Sequence, residues 1–355
     1  MTSAAPPAAQ PIAQPIARPA ARPTVSLVVA THGPPRAVRA YLHHLESLGT
    51  APLEVVVLDA SDDGRAGERL RRALPDVRVV RPGPGGTPGL AELRGDVVAF
   101  VHDDARAAPG WLDALVAPYA DPDVAGVGGR VVDAGPQDEA DGLELVGRLL
   151  PDGRLTDRFG TDPGRVVDVD HLHGAAMSFR RTALAAAGGV SARGCWVGTD
   201  LSLRVRAGGG RLVFAPRAVV HHDGRCGALD TRSDLRSLYH HRRDHVVTLV
   251  RLFGWRDPIL RRFARTVARD QGAYVWAVRA RLGPRMADGS PRPLLRRVTA
   301  PVVLAGIAAE LGGLVAGLPA AAAERRRDHA ARRLDGAPEM AADGAPDRAA
   351  VAGAP

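Results

Sequence analysis

Residues Gly95-Asp96-Val97-Val98-Ala99-Phe100-Val101-His102-Asp103-Asp104-Ala105-Arg106-Ala107-Ala108-Pro109-Gly110-Trp111-Leu112 decide how the chain is read. The apolar run Val97 to Val101 predicts a buried strand, and it leads straight into the acidic pair Asp103-Asp104. Pro109 stands where a following helix would begin, with Trp111 and Leu112 as its first apolar residues. Open α/β sheets bind their ligands beyond the carboxyl ends of the strands. Two carboxylates there suit a divalent cation held through oxygen, and such a cation can clamp a diphosphate. An acidic surface turn is the plainer reading of an isolated Asp-Asp, so the surroundings must decide.

Upstream, Val25 to Ala30 is another buried strand, followed by the turn Thr31-His32-Gly33-Pro34. Arg36 to Leu48 has the apolar spacing of an amphipathic helix. Glu54 to Asp59 is a second strand ending in an acid, and Ser61-Asp62-Asp63-Gly64 is a turn. A helix over Arg65 to Leu74, a strand over Val77 to Val80 and a Gly/Pro-rich loop complete this half. Alternation with short links predicts an α/β fold, a mostly parallel sheet flanked by helices on both faces. Downstream, Val124 to Val132 suggests a strand pair around Gly126, Gly128 and Gly129. Residues 135–165 are polar and Gly-rich. A strand over His173 to Arg181 feeds a helix, Thr182 to Ala187, that stops at Gly188-Gly189. Asp200 to Ala207 is helical, Arg211 to Ala215 is strand-like, and Pro216 to His222 follows.

Composition sets the outer limits. Residues 1–23 are Ala/Pro-rich repeats and 324–355 are Ala, Arg, Asp, Gly and Pro, so both are expected to be disordered tails. The foldable part divides into an α/β domain over 24–230 and a basic, apolar helical extension over 231–323. Cys195 and Cys226 have no metal-ligand spacing, and residues 1–23 lack the apolar core of a signal peptide. A cytoplasmic location is expected. The net charge of +8 invites a nucleic-acid reading, but every basic side chain is Arg and none is Lys. The excess is also local, with fifteen Arg against four Asp between Arg236 and Arg297. Aromatic residues, at 4%, are too sparse for base-stacking platforms, which argues against nucleic acid as a partner.

Taken in order, the pieces resemble family 2 glycosyltransferases, nucleotide-sugar enzymes with the GT-A fold. The similar stretches are the first strand with Thr31-His32, Leu58-Asp59, Gly95-Asp96, Phe100 to Asp104, Gly174 to Arg181, Gly188-Gly189, Asp200 to Arg204 and Pro216 to His222. The resemblance implies a nucleoside-diphosphate sugar donor, a divalent cation (Mn²⁺ or Mg²⁺) and inverting transfer by direct displacement. Thr31, His32 and Asp59 would line the donor, with Asp59 at the base or ribose and Asp62 a second candidate in that loop. A turn or helix-capping acid is the alternative for Asp59. Asp104 would ligate the metal, Asp103 would face the ribose, and His222 would help hold the metal or diphosphate. His221 and His222 point to opposite faces of a strand, so only one serves. Gly174 to Phe179 would line the acceptor side.

Three departures qualify the resemblance. His102 stands where the family has an acid, which alters the metal preference. The family's Ala-Arg-Asn segment has no counterpart in Gly85 to Gly89. Its Glu-Asp-x-Asp-Leu, source of the catalytic base, reads Val197-Gly198-Thr199-Asp200-Leu201 here. Asp200 is then the expected base for the acceptor hydroxyl, with a helix N-cap as its alternative and Asp168 and Asp170 as outside candidates. A degenerate, non-catalytic binder of nucleotide sugar or glycan is the rival reading. A nucleotidyltransferase ranks lower, since no Gly-rich signature with Arg and Lys follows the first strand.

Residues 301–318 carry one charge, Glu310, and are rich in Ala and Gly. An interfacial or buried helix is favoured over a membrane span. Neighbouring arginines would be drawn to an anionic membrane surface, which suits a lipid-linked or other glycan acceptor.

Overall fold

The structure is a computed structural model describing residues 22–31, 33–49, 51–61, 65–81, 92–133, 145–190, 197–222, 235–282 and 294–334. Among the described residues, nine strands form one sheet: β1 (Val25–Thr31), β2 (Glu54–Asp59), β3 (Arg78–Val80), β4 (Val97–His102), β5 (Ala105–Ala107), β6 (Val124–Asp133), β7 (Val167–Asp168), β8 (Ala176–Arg180) and β9 (Arg211–His222). Their order is β3-β2-β1-β4-β8-β6-β9-β5, with β7 also on β9. β1 pairs in parallel with both β2 and β4, and β3 in parallel with β2. β8 runs antiparallel between β4 and β6, and β6 is parallel to β9. Six strands therefore point one way, and their carboxyl ends gather at one edge. This is the expected mostly parallel α/β sheet.

Sequence dictates these strands simply. In β1 and β4 the side chains are buried on both faces, as continuous β-branched runs require. α1 (Pro35–Ser47) starts on a proline and buries Val38, Tyr41 and Leu45, one face at helical spacing. α2 (Arg65–Ala73) follows β2. α3 (Trp111–Val116) begins two residues after Pro109, because Gly110 first takes a left-handed turn at φ 75°. α4 (Arg181–Ala186) ends at Gly188 and Gly189, whose amides reach back to the carbonyls of Ala185 and Leu184.

Two expectations need correction. Val124 to Val132 is one strand, not a pair: its glycines allow close approach rather than a turn. A Cβ on Gly126 would lie 2.7 Å from Leu212, and one on Gly129 would lie 2.4 Å from the Ala218 carbonyl oxygen. Arg211 to His222 is likewise one strand, and its pairing with β6 passes from Ala215 directly to Val219. Pro216, which has no N–H to give, sits in that irregularity.

α5 (Val197–Ala207) is followed by α6 (Leu235–Phe253), α7 (Pro258–Leu282) and α8 (Leu294–Leu334). α8 overruns the expected disordered tail at 324, because Ala and Arg are good helix formers. α8 packs on α6 through small residues: a Cβ on Gly313 would meet the Tyr239 carbonyl oxygen at 2.3 Å. Leu249, Val250, Phe263 and Ala321 make a second core that also takes in Leu149 and Leu203 from the α/β domain. Glu310 is buried there, accepting from Arg242 at 2.6 Å and Gln271 at 2.8 Å. The segment Leu304–Arg327 has the length and apolarity to cross a membrane, with a third of it buried in the protein. Leu304, Leu311, Val315 and Leu318 are exposed.

Candidate active site

Strand pairing brings the site together. β5 pairs antiparallel with β9, setting Ala105 opposite His222. The Asp103-Asp104 turn between β4 and β5 is thereby carried to the end of β9. Asp104 Oδ1 lies 3.3 Å from His222 Nε2. His222 is buried and its neighbour His221 exposed, as strand alternation demands. The His222 imidazole beside it chiefly holds the Asp104 carboxyl below its ordinary range, against the opposing effect of burial; His102 adds to this.

His102, the last residue of β4, completes the cluster. One ligand atom each from His102, Asp104 and His222 lies within 4.8 Å of the other two. The His102 and His222 rings are 5.6 Å apart between centroids. His173 stands edge-on to His222 at 6.0 Å. Gly174 faces His102, with room for a Cβ at 3.6 Å from Nε2. Two imidazoles and a carboxylate converging at a strand edge are a donor set that fits a divalent cation.

The acidic pair divides. Thr31 Oγ1 donates to Asp103 Oδ2 at 2.5 Å and itself accepts from the Gly33 amide at 2.9 Å. Asp103 is thus drawn to the turn after β1, and Asp104 to His222. Asp59 is buried, and its carboxylate accepts from the Ser61 amide and hydroxyl and from the Gly67 amide at 2.9 Å. In this structure it anchors the first turn of α2, the capping alternative. His32 and Asp62 lie outside the described residues.

Asp200 needs correction on its N-cap reading. It is not an N-cap, since α5 starts at Val197. It is buried and receives Arg204 Nε at 2.9 Å on one oxygen and Arg251 at 3.1 Å on the other. Asp168 pairs with Arg211 at 2.7 Å. Asp170, buried, pairs with Arg206 at 2.6 Å and accepts from the Leu149 amide. Gly198 stands where the family has its acid, and a Cβ there would lie 2.8 Å from the Gly174 amide nitrogen. The backbones of Gly174 and Gly198 meet, leaving position 198 no room for a carboxylate. The acceptor reading of Gly174 to Phe179 contracts as well: Met177 and Phe179 are core, and Ser178 bonds Tyr119. Only the Gly174 end borders the cluster.

His173 is the residue that sequence reasoning missed. Its one signal was the histidine-rich stretch His171-Leu172-His173 just before Gly174.

The sheet thus carries its acids and a trailing histidine at the carboxyl ends of its strands. The profile described as glycosyltransferase like family 2 matches residues 22–243, and the chain belongs to that family. It is 28% identical over 203 residues to the uncharacterized protein y4gI of Sinorhizobium fredii (strain NBRC 101917 / NGR234), covering 54% of this chain and 22% of that protein. The chain thus spans about a fifth of that curated relative's length. Among solved structures it is similar to the mannosyltransferase PcManGT from Pyrobaculum calidifontis in complex with GDP-Man and Mn²⁺, at 20% identity and a TM-score of 0.48, covering 83% of this chain and 88% of that one. It is also similar to glucosyl-3-phosphoglycerate synthase from Mycobacterium tuberculosis in complex with Mg²⁺ and UDP. There the identity is 18% and the TM-score 0.41, over 64% of this chain and 78% of that one.

Proposed function

We propose that the protein transfers a hexosyl group from a nucleoside-diphosphate sugar to a glycan or lipid-linked acceptor, with inversion, at the inner face of the cell membrane. The convergence of His102, Asp104 and His222 at the carboxyl ends of β4 and β9 carries this reading. Asp104 and His222 would hold the divalent cation, which when bound neutralises the diphosphate and so eases its departure. Asp103, fixed by Thr31, would face the ribose of the donor. Gly174 would leave space on the acceptor side, beside His102.

Direct displacement needs a group to accept the acceptor's proton. Asp200 would have to leave the guanidinium of Arg251 to do so. The closed backbone contact at Gly198 therefore favours a second reading, a nucleotide-sugar or glycan binder without catalysis.

Calorimetric titration with UDP, GDP and dTDP, each with and without Mn²⁺, tests the donor site. Metal-dependent binding of one nucleotide, lost in Asp104→Ala, is expected. Absence of binding by all three would reject the donor reading. Turnover of the matching sugar nucleotide then separates transferase from binder.

A further inference from the structure

Resting on the reading of this cluster as the cation site, we propose that His102 is a third side-chain ligand. Its presence tunes the site to transition-metal ions and against Mg²⁺. The argument starts from the split of the acidic pair. Asp103 is bonded to Thr31 at the far side of the turn, so the two adjacent carboxylates do not converge on one point. The groups that do converge are one carboxylate and two imidazoles, all within 4.8 Å.

Such a donor set discriminates. Mg²⁺ is small and hard, and it favours oxygen ligands and its own waters. Imidazole nitrogen suits Zn²⁺, Co²⁺ and other borderline ions, whose affinities rise along the first transition series. Each nitrogen that replaces a carboxylate oxygen also removes a negative charge, which weakens the hold on Mg²⁺ most. The surroundings leave His102 its position: Gly174 opposite carries no side chain, and a Cβ there would already stand 3.6 Å from Nε2. His222 is fixed by burial at the end of β9 and flanked by His173. The ion therefore meets a pre-set pair of rings rather than an all-oxygen cradle.

The test uses the full chain, its His102→Asp variant and Asp104→Ala. Mn²⁺, Co²⁺ and Mg²⁺ are titrated calorimetrically without nucleotide, and the Mn²⁺ forms are read by electron spin-echo modulation from ¹⁴N. The wild type is expected to show two coupled imidazoles and His102→Asp one. The Mg²⁺-to-Mn²⁺ affinity ratio should rise by roughly tenfold in that variant, the scale on which single changes around a metal act. Unchanged ¹⁴N modulation and an unchanged ratio in His102→Asp, with binding still lost in Asp104→Ala, would overturn the proposal while the cation site stands. No binding of any ion by the wild type would overturn both.

Discussion

Arg251 of α6 donates to Asp200 Oδ1 while Arg204 of α5 holds the other oxygen, so one buried carboxylate joins the α/β domain to the carboxyl-terminal helices. Arg204 also donates to the carbonyls of Ala187 and Gly189, at the end of α4. Removing one partner of a buried ion pair leaves the other charge uncompensated, at a cost of about 3–5 kcal/mol. Asp200→Ala is therefore expected to lower the free energy of denaturant unfolding by that amount. Arg251→Ala should do so by a smaller amount, because Arg204 remains. An Asp200→Ala protein with wild-type stability and no transfer activity would instead support Asp200 as the base.

The bond from Thr31 to Asp103 carries a separate expectation. Thr31→Val keeps the shape and removes the donor, so Asp103 loses its tie to β1. A lost hydrogen bond to a charged group is worth about 1.5–3 kcal/mol. Nucleotide affinity in the presence of Mn²⁺ should fall by one to two orders of magnitude on that scale. Mn²⁺ binding without nucleotide should hardly change, since Asp104 and His222 are untouched. Equal losses in both titrations would contradict the division of the acidic pair.

Two neighbours on α6 set an opposing pH dependence. Burial, aided by Arg242, lowers His241 to about 4 from 6.5, so its contribution to stability is present above 6.5 and lost as pH falls toward 4. His245, buried beside it, acts in the same direction. Burial raises Asp244 to about 6 from 3.8, against the effect of Arg243. Its contribution is present below 3.8 and lost as pH rises through 6. The aspartate thus offsets the histidines in one window. Asp244→Asn should make the loss of stability between pH 6 and pH 4 steeper, as thermal midpoints across that range will register.

The exposed stripe of Leu304, Leu311, Val315 and Leu318 on α8 suits contact with a bilayer surface beside the arginine-rich helices. The double substitution Leu311→Glu and Val315→Glu should leave unfolding unchanged and abolish pelleting with anionic vesicles at low salt. Pelleting undiminished in that variant would remove the membrane from the account.

Legibility in the sequence followed the distance between partners. β1 and β4 could be read directly, since a strand buried on both faces shows as an unbroken apolar run. The strand-end acids and His222 were legible because each stands at the edge of such a run. Gly126 and Gly129 were misread as a turn because the atoms that exclude their Cβ belong to Leu212 and Ala218, far along the chain. The ion pair of Asp200 with Arg251 was hidden for the same reason: Arg251 lies in another helix, and nothing near Asp200 announces it. The helical course of 324–334 was hidden by composition, since Ala and Arg serve a helix as well as a tail. His173 needed the return of β9 before its ring had His222 to face.

That return has a consequence for how the molecule comes into being. Asp104 leaves the ribosome well before His222, yet the two meet only in the finished sheet. Until β9 docks, β5 lacks its ladder and the acidic turn lacks His222. Before that, His102 and the acidic pair stand without their buried third partner. The cluster of His102, Asp104 and His222 thus exists only once β9 has closed the sheet.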